Sequence, residues 1–485
     1  MTATAPSTRD DYIHQYLEDK LRIPCVRIRL TQVAEQDPTV YEAPGILELG
    51  KSFGLKGKFR VPKPGSSFED AFTQLFECED YVLGQLVRDE QYFKMEAVTR
   101  EGVRWTCHRV TVTERAGEDE CSVRFEASYV ENISQAEKSA YAARLSYVEK
   151  LRLPENRRVD EVGRNGSRFT GRDGSQGRLA NLDLNYVRRF RDDTVERSEL
   201  TVHAIEGTVP PRYFDVRVME TMLFCSALLA QPICSEVAYG KHRSILFNKH
   251  RPVNVGFVSP PVQDRSAEQD FYKLATAYYE HICKDGDVEG MSQLTRKIGS
   301  LFAMSGASIA TIALSLSVAV ESLAQTGQLA GRFKSTPQHL AVVDSIKSAV
   351  LKLPELDDLA KQFGEANKLP DKRPLRDRLD AVLSLLAAGG RTIDSLTLLK
   401  GIDAVTAEEV KAWNRLRPPT AHGSWEPKDH TMQIHLDDIY KMMTLVYRLV
   451  FVHIGYNGKF NARSMRGWPV LEFKGKEIQS ALKFE

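Results

Sequence analysis

Two hydrophobic rhythms divide the chain. Up to about residue 260, apolar and polar positions alternate in short runs bounded by Gly, Asp and Pro: Val103 to Thr113, Cys121 to Val130, Leu200 to Glu206 and Ser244 to Phe247. A period of two carried by β-branched and aromatic residues predicts half-buried strands. Several such runs predict a β-rich domain, sandwich-like or a distorted barrel. Two helices are expected inside it. Ser134-Gln135-Ala136-Glu137 is a capping box followed by Tyr141, Leu145, Val148 and Leu151, with Pro154 as the stop. The second is expected from about Val216 to Leu229.

From about Asp264 the period changes to 3.6 or the run is apolar throughout. Helices are expected over Gln269 to Lys284, Gln293 to Ala330, His339 to Phe363, Leu375 to Ala388, Thr392 to Leu399, Ala407 to Leu416 and Leu436 to Ile454. Pro260-Pro261 favours an extended connector at the switch. The expected class is therefore α+β multidomain. Residues 1–262 form a β-rich, sandwich-like sensing or regulatory domain, and residues 263–485 an all-α bundle with a short C-terminal strand segment.

Composition narrows the function classes. Among 485 residues, 66 Lys and Arg face 65 Asp and Glu, a net charge of +1, and 42% are hydrophobic. Such a chain folds, and its surface is no uniform anion-binding field. Positive charge is instead local. Arg157 to Arg178 mixes five glycines with Arg157, Arg158, Arg164, Arg168, Arg172 and Arg178, and reads as a mobile loop. It is either a solvated surface loop or a phosphate-binding arm in which Arg164, Arg168 and Arg172 contact a nucleic acid.

Seven scattered cysteines without a CxxC pair give neither a disulfide framework nor a zinc site, and Met1 to His14 lacks the apolar core of a signal peptide. A reducing, cytoplasmic setting and no metal or cofactor are expected. Ile298 to Val320 is uncharged and long enough to cross a bilayer, but its Ser, Gly and Ala content suits a buried helix. No stable membrane insertion is expected.

The chemically informative segment runs from Trp413 to Gly423, WNRLRPPTAHG. Arg417 precedes Pro418-Pro419, which are expected to end the helix there, and His422 follows after a short turn. A histidine titrating near neutrality moves protons, and an arginine holds a phosphate through a planar set of donors. Together they can cleave RNA without a metal, with the ribose 2′-OH as nucleophile. Spacing alone is weak, because similar pairs such as Arg243 and His250 occur elsewhere. The bland alternative is a structural His422 and a surface Arg417.

The string N-x-L-R-P-P-T-A-H-G resembles the Arg-x4-6-His motif of the HEPN superfamily, the higher eukaryote and prokaryote nucleotide-binding domains. Leu314 to Leu323, with Glu321, is similar to an early helix of those bundles, and Ile454 to Phe460 to the segment after the last helix of Apea-like members. The resemblance covers about residues 265 to 465. It departs at Pro418, where many members carry a polar residue.

What the resemblance implies is a metal-independent endoribonuclease of antiphage defence, cutting RNA such as tRNA, with a composite site between two copies and hence a homodimer or higher oligomer. It also implies a phage-derived trigger. His422 is then the general acid/base and Arg417 the phosphate ligand. Asn414 is expected to orient Arg417 or substrate, Glu321 to tether Arg417, and Arg415 to be the alternative arginine or a substrate contact. The other readings are a catalytically silent RNA- or nucleotide-binding or dimerisation module, and a membrane-associated effector.

Overall fold

The computed structural model describes residues 9–18, 20–33, 38–50, 54–62, 91–116, 120–162, 168–191, 194–250, 258–263, 268–285, 290–304, 307–326, 337–366, 375, 379–380, 392–421 and 432–484. The chain forms two compact units, Met1–Val253 with Gly286–Gly290, and Asn254–Asp285 with Met291–Glu485.

In the first unit, helix α1 (Arg9–Leu17) is followed by β1 (Arg22–Gln32), β2 (Val40–Leu49), β3 (Leu55–Pro62), β4 (Phe93–Thr99), β5 (Arg104–Ala116) and β6 (Glu120–Ala127). These six strands pair antiparallel in the order β4-β1-β2-β3-β6-β5, and pairing of β4 with β5 closes the ring. Of the two architectures that the alternation left open, the sandwich-like one is thus corrected to the barrel, closed and six-stranded, with added strands. Alternation of apolar and polar residues is common to both architectures; only long-range pairing of β4 with both β1 and β5 distinguishes them.

Closure removes free edges, and the interior is filled with side chains including Ile28, Leu30, Met95, Cys107, Val123 and Phe125. Gly57 sits opposite Phe125 in the β3–β6 ladder, and a Cβ at Gly57 would lie 2.0 Å from the Phe125 ring. Only glycine lets that ring cross the strand. Helix α1 adds Tyr12 and Tyr16 to this core; Tyr16 stacks on Phe247 at 4.3 Å and donates to the Asn248 carbonyl at 2.7 Å.

The remaining strands extend the sheet: β7 (Tyr129–Tyr147), β8 (Arg157–Val162), β9 (Arg168–Leu179), β10 (Leu182–Arg191), β11 (Thr194–Ala204) and β12 (Cys234–Asn248), with helix α2 (Phe214–Ser226) before the last. The helix anticipated near Val216 is present as α2, whereas the one anticipated after Ser134 is strand β7. Leu145 belongs to both a 3.6-residue and a two-residue pattern, and Ala143, Leu145 and Tyr147 are all buried. A capping box is worth about 1 kcal/mol. It competes with β7 pairing along β12 from Tyr129 opposite Asn248 to Ser146 opposite Cys234. The non-local ladder wins.

The Gly/Arg-rich segment is likewise strand and not loop where it is described. Gly171 pairs with Val159 and Gly177 with Leu184, so strand-forming partners support glycines whose own preference is low.

The second unit contains α3 (Glu268–Ile282), α4 (Gln293–Ala303), α5 (Ile309–Ala324), α6 (Pro337–Leu351), α7 (Glu355–Ala366), α8 (Thr392–Gly401), α9 (Ala407–Ala421) and α10 (Met432–Ile454). Then come β13 (Asn457–Asn461), β14 (Val470–Lys474) and α11 (Gly475–Phe484). The expected all-α HEPN bundle is corrected here: an antiparallel hairpin, β13 with β14, is part of the unit and packs Phe460 and Phe473 against Phe451 of α10. The sequence pattern had offered only a lone short strand because a five-residue hairpin arm carries little periodic signal.

The expected helix over Leu375 to Ala388 lies mostly outside the described residues. The uncharged stretch from Ile298 to Val320 is divided between α4 and α5, with Ser308 capping α5 by accepting from the Thr311 amide at 3.3 Å. Among the described residues no helix is long and apolar enough to cross a membrane.

Candidate functional site

Helix α9 positions the candidate arginines, and its start is fixed by a reciprocal cap. The Thr406 amide donates to Glu409 Oε2 at 2.9 Å and the Glu409 amide to Thr406 Oγ1 at 3.2 Å. Glu409 is fully buried and also meets Arg448 Nε of α10 at 3.3 Å and accepts from Ser464 Oγ at 3.1 Å. Arg448 in turn donates to the Ala404 carbonyl and lies over the Phe460 ring. One carboxylate thus ties the helix to α10 and to the hairpin region.

Val410, Trp413 and Leu416 form the buried stripe of α9, leaving Asn414, Arg415 and Arg417 exposed. Arg415 makes a bidentate pair with Asp438 of α10, at 2.8 and 2.5 Å. Lys441 Nζ is 3.3 Å from the same carboxylate. Burial by itself would raise the Asp438 pKa, but the hydrogen bonds from Arg415 and Lys441 hold it below the usual aspartate value. The Arg415 guanidinium is correspondingly stabilised in its charged form by its bond to Asp438. Arg415 therefore anchors α9 to α10.

Arg417 lies two residues on, about 200° around the helix. Its Nε bonds Glu321 of α5, and its guanidinium lies over the Trp413 ring at 5.4 Å, one helical turn back. Its side chain is 52% exposed, so the group reaches solvent while two neighbours define its direction. This pair is the one the sequence anticipated. Among the described residues no hydrogen bond joins Asn414 to Arg417.

The helix was expected to stop at Arg417, yet α9 continues through Pro418 and Pro419 to Ala421. Neither proline has an N–H, so the Asn414 and Arg415 carbonyls receive no backbone bond from the following turn. A proline costs a helix about 3 kcal/mol, and burial of Trp413 and Leu416 just before it is worth a similar amount. His422 lies immediately beyond the described residues, as does Arg164. Arg168 and Arg172 are on β9 in the first unit, opposite Val162 and Arg158 respectively.

Sequence reasoning missed Glu409, Asp438 and Trp413 as supports of the site. Thr406-x-x-Glu409 was a readable capping-box signal. Asp438 offered a weaker one, an acid at the head of the long apolar run of α10. Among the described residues no three His, Cys, Asp or Glu side chains are grouped so as to hold a metal. No protein-family model, curated protein or solved structure matches the chain.

Proposed function

We propose that the protein is a metal-independent endoribonuclease that cleaves RNA, tRNA included, by attack of the ribose 2′-OH, and that it acts in antiphage defence as a cytoplasmic homodimer. The observation that carries this reading is Arg417 itself: half exposed, on a helix clamped to α10 through Arg415 and Asp438, and oriented by Glu321 and Trp413. An arginine has five N–H donors in a planar fork, the donor geometry that matches a phosphate, and Glu321 sets the direction of this one through Nε. His422, five positions on, supplies the proton transfer. Resemblance of this segment to the Arg-x4-6-His motif supports the assignment; it rests on motif and local geometry and not on a shared fold.

The mechanism then needs few groups. Arg417 holds the scissile phosphate and offsets the charge that builds on its oxygens; His422 takes the 2′-OH proton and protonates the leaving 5′-oxygen. A 2′,3′-cyclic phosphate is the product. The test is cleavage of RNA by the purified protein in EDTA, read as cyclic phosphate ends, with His422→Ala expected to abolish it. Undiminished cleavage by that variant would overturn the assignment.

A further inference from the structure

A second feature of this unit shares α5 with Glu321, the partner of Arg417, and has no role in the chemistry above. Gln293, Arg296, Lys297 and Ser300 of α4, with Val318 and Ser322 of α5, line an open groove of about 330 Å³. The four α4 positions follow the i, i+3, i+4, i+7 pattern, so they form one stripe. The opposite stripe, Leu294, Ile298, Leu301 and Phe302, is buried. The groove is therefore built by a helix whose other face is locked in the core.

The side chains that line it carry positive charge only, with the Asp285 carboxylate nearby, accepting from the Gln293 amide at 3.0 Å. Arg296 is exposed, and among the described residues neither Arg296 nor Lys297 lies within ion-pair distance of a carboxylate. Lys297 is nonetheless held: its ammonium donates to the Thr326 hydroxyl at the end of α5. Burial lowers the Lys297 pKa, opposed by the more distant Asp285. Two cations flanked by the neutral donors Ser300, Ser322 and Gln293 match the non-bridging oxygens of a phosphate, and exposed Val318 offers apolar surface to a sugar. Ser322 adjoins Glu321, the residue that orients Arg417, so α5 places groove and candidate site on consecutive residues.

We propose that this groove binds a backbone phosphate of the RNA strand, at a nucleotide neighbouring the one held by Arg417. The inference rests on the ribonuclease reading for the identity of the strand, while the groove itself is defined by Arg296 and Lys297. It makes them substrate-positioning residues and gives the enzyme a fixed strand direction across α5.

The experiment uses the full chain and a short single-stranded 2′-O-methyl RNA, which cannot be cut, with binding followed by fluorescence anisotropy over a salt series. Neutralising one phosphate on a single strand contributes about 0.7 to the slope of log K against log salt. Arg296→Gln with Lys297→Gln should lower the slope by about that amount and raise KM for cleavage without lowering kcat. A control removing the same charge elsewhere, Lys352→Gln with Lys400→Gln, should leave both unchanged.

Equal loss in the two double variants would overturn the groove, as would a wild-type enzyme that cuts RNA with KM and slope indifferent to Arg296 and Lys297. If the wild type binds RNA through the groove but cleaves nothing, the groove stands and the ribonuclease reading falls. Binding of inorganic phosphate that depends on Arg296 and Lys297, with RNA binding that does not, would overturn the assignment to an RNA strand.

Discussion

Removing Glu409 is the sharpest test of how α9 is held. Its carboxylate is fully buried and accepts from the Thr406 amide at 2.9 Å and Ser464 at 3.1 Å, with Arg448 at 3.3 Å. Glu409→Ala strips the cap, worth about 1 kcal/mol, and strands the Arg448 guanidinium, only 10% exposed, without its counter-charge. Breaking one side of such a buried pair costs about 3–5 kcal/mol. These effects share atoms and do not add, so a total near 4 kcal/mol is expected.

Because the chain has two units, a single unfolding midpoint is ill-defined, and native-state hydrogen exchange of the α9 and α10 amides is the better assay. At about 1.4 kcal/mol per decade, those amides should exchange roughly a thousandfold faster. Glu409→Gln with Arg448→Met, which leaves no buried charge, should recover much of the loss. A cost below about 1 kcal/mol for Glu409→Ala, or no recovery in the double variant, would refute the reasoning.

The two arginines should separate by assay. Arg417→Ala removes a half-exposed pair worth at most about 1 kcal/mol, so the fold should persist while cleavage is lost; a variant that keeps cutting would sink its assigned role. Arg415→Ala instead leaves the buried Asp438 carboxylate with Lys441 alone and should be clearly destabilising in the same exchange assay. A third expectation concerns acid. Burial pushes His453 down to about 4, opposed by its bond to the Leu323 carbonyl, and His281 is lowered in the same way, by burial first and then by Lys284. The unfolded histidines, near 6.5, bind protons that the folded ones refuse. Stability is therefore fully present above pH 6.5 and falls as pH drops towards 4, with His453 contributing up to about 3 kcal/mol. Native-state hydrogen exchange of the α10 amides at both ends of that window should show the loss, and His453→Gln should reduce it; an unchanged pH slope in the variant would contradict the account.

What could be read in the sequence follows the range of the interactions involved. The switch from a two-residue to a 3.6-residue period near Pro260 is local and gave strands before it and helices after it. Barrel closure, by contrast, depends on β4 meeting both β1 and β5, and the identity of β7 on its pairing with β12 a hundred residues away; no local pattern encodes either. Glycine misled for a related reason: in β9 its partners, Val159 and Leu184, carry the strand preference. At the site, the pairing of Arg417 with Glu321 was expected only through the resemblance of α5 to an early helix of the family, since no local pattern links residues 96 positions apart. Arg415 was left open because its partner Asp438 gives no signal beyond being an acid at the head of an apolar helix.

The arrangement around α9 explains how a helix can carry two prolines and still give Arg417 a defined direction. The missing backbone bonds of Pro418 and Pro419 fall in the last turn. The helix is clamped at its start by Glu409 and in its middle by Arg415 with Asp438; the turn from Asn414 to Pro419 lacks two backbone bonds, so Arg417, which lies within it, takes its direction from Glu321 and Trp413. Arg415, the clamp, and Arg417 have one residue between them and point to different sides of one helix. The same geometry distributes charge. Glu321 offsets Arg417, and Asp438 offsets Arg415, whereas among the described residues Arg296 and Lys297 on α4 have no carboxylate within ion-pair distance, Asp285 acting on Lys297 only from further away. On the proposed function, Arg296 and Lys297 would attract the RNA strand to α5, and Arg417, oriented and partly neutralised by Glu321, would act on it there.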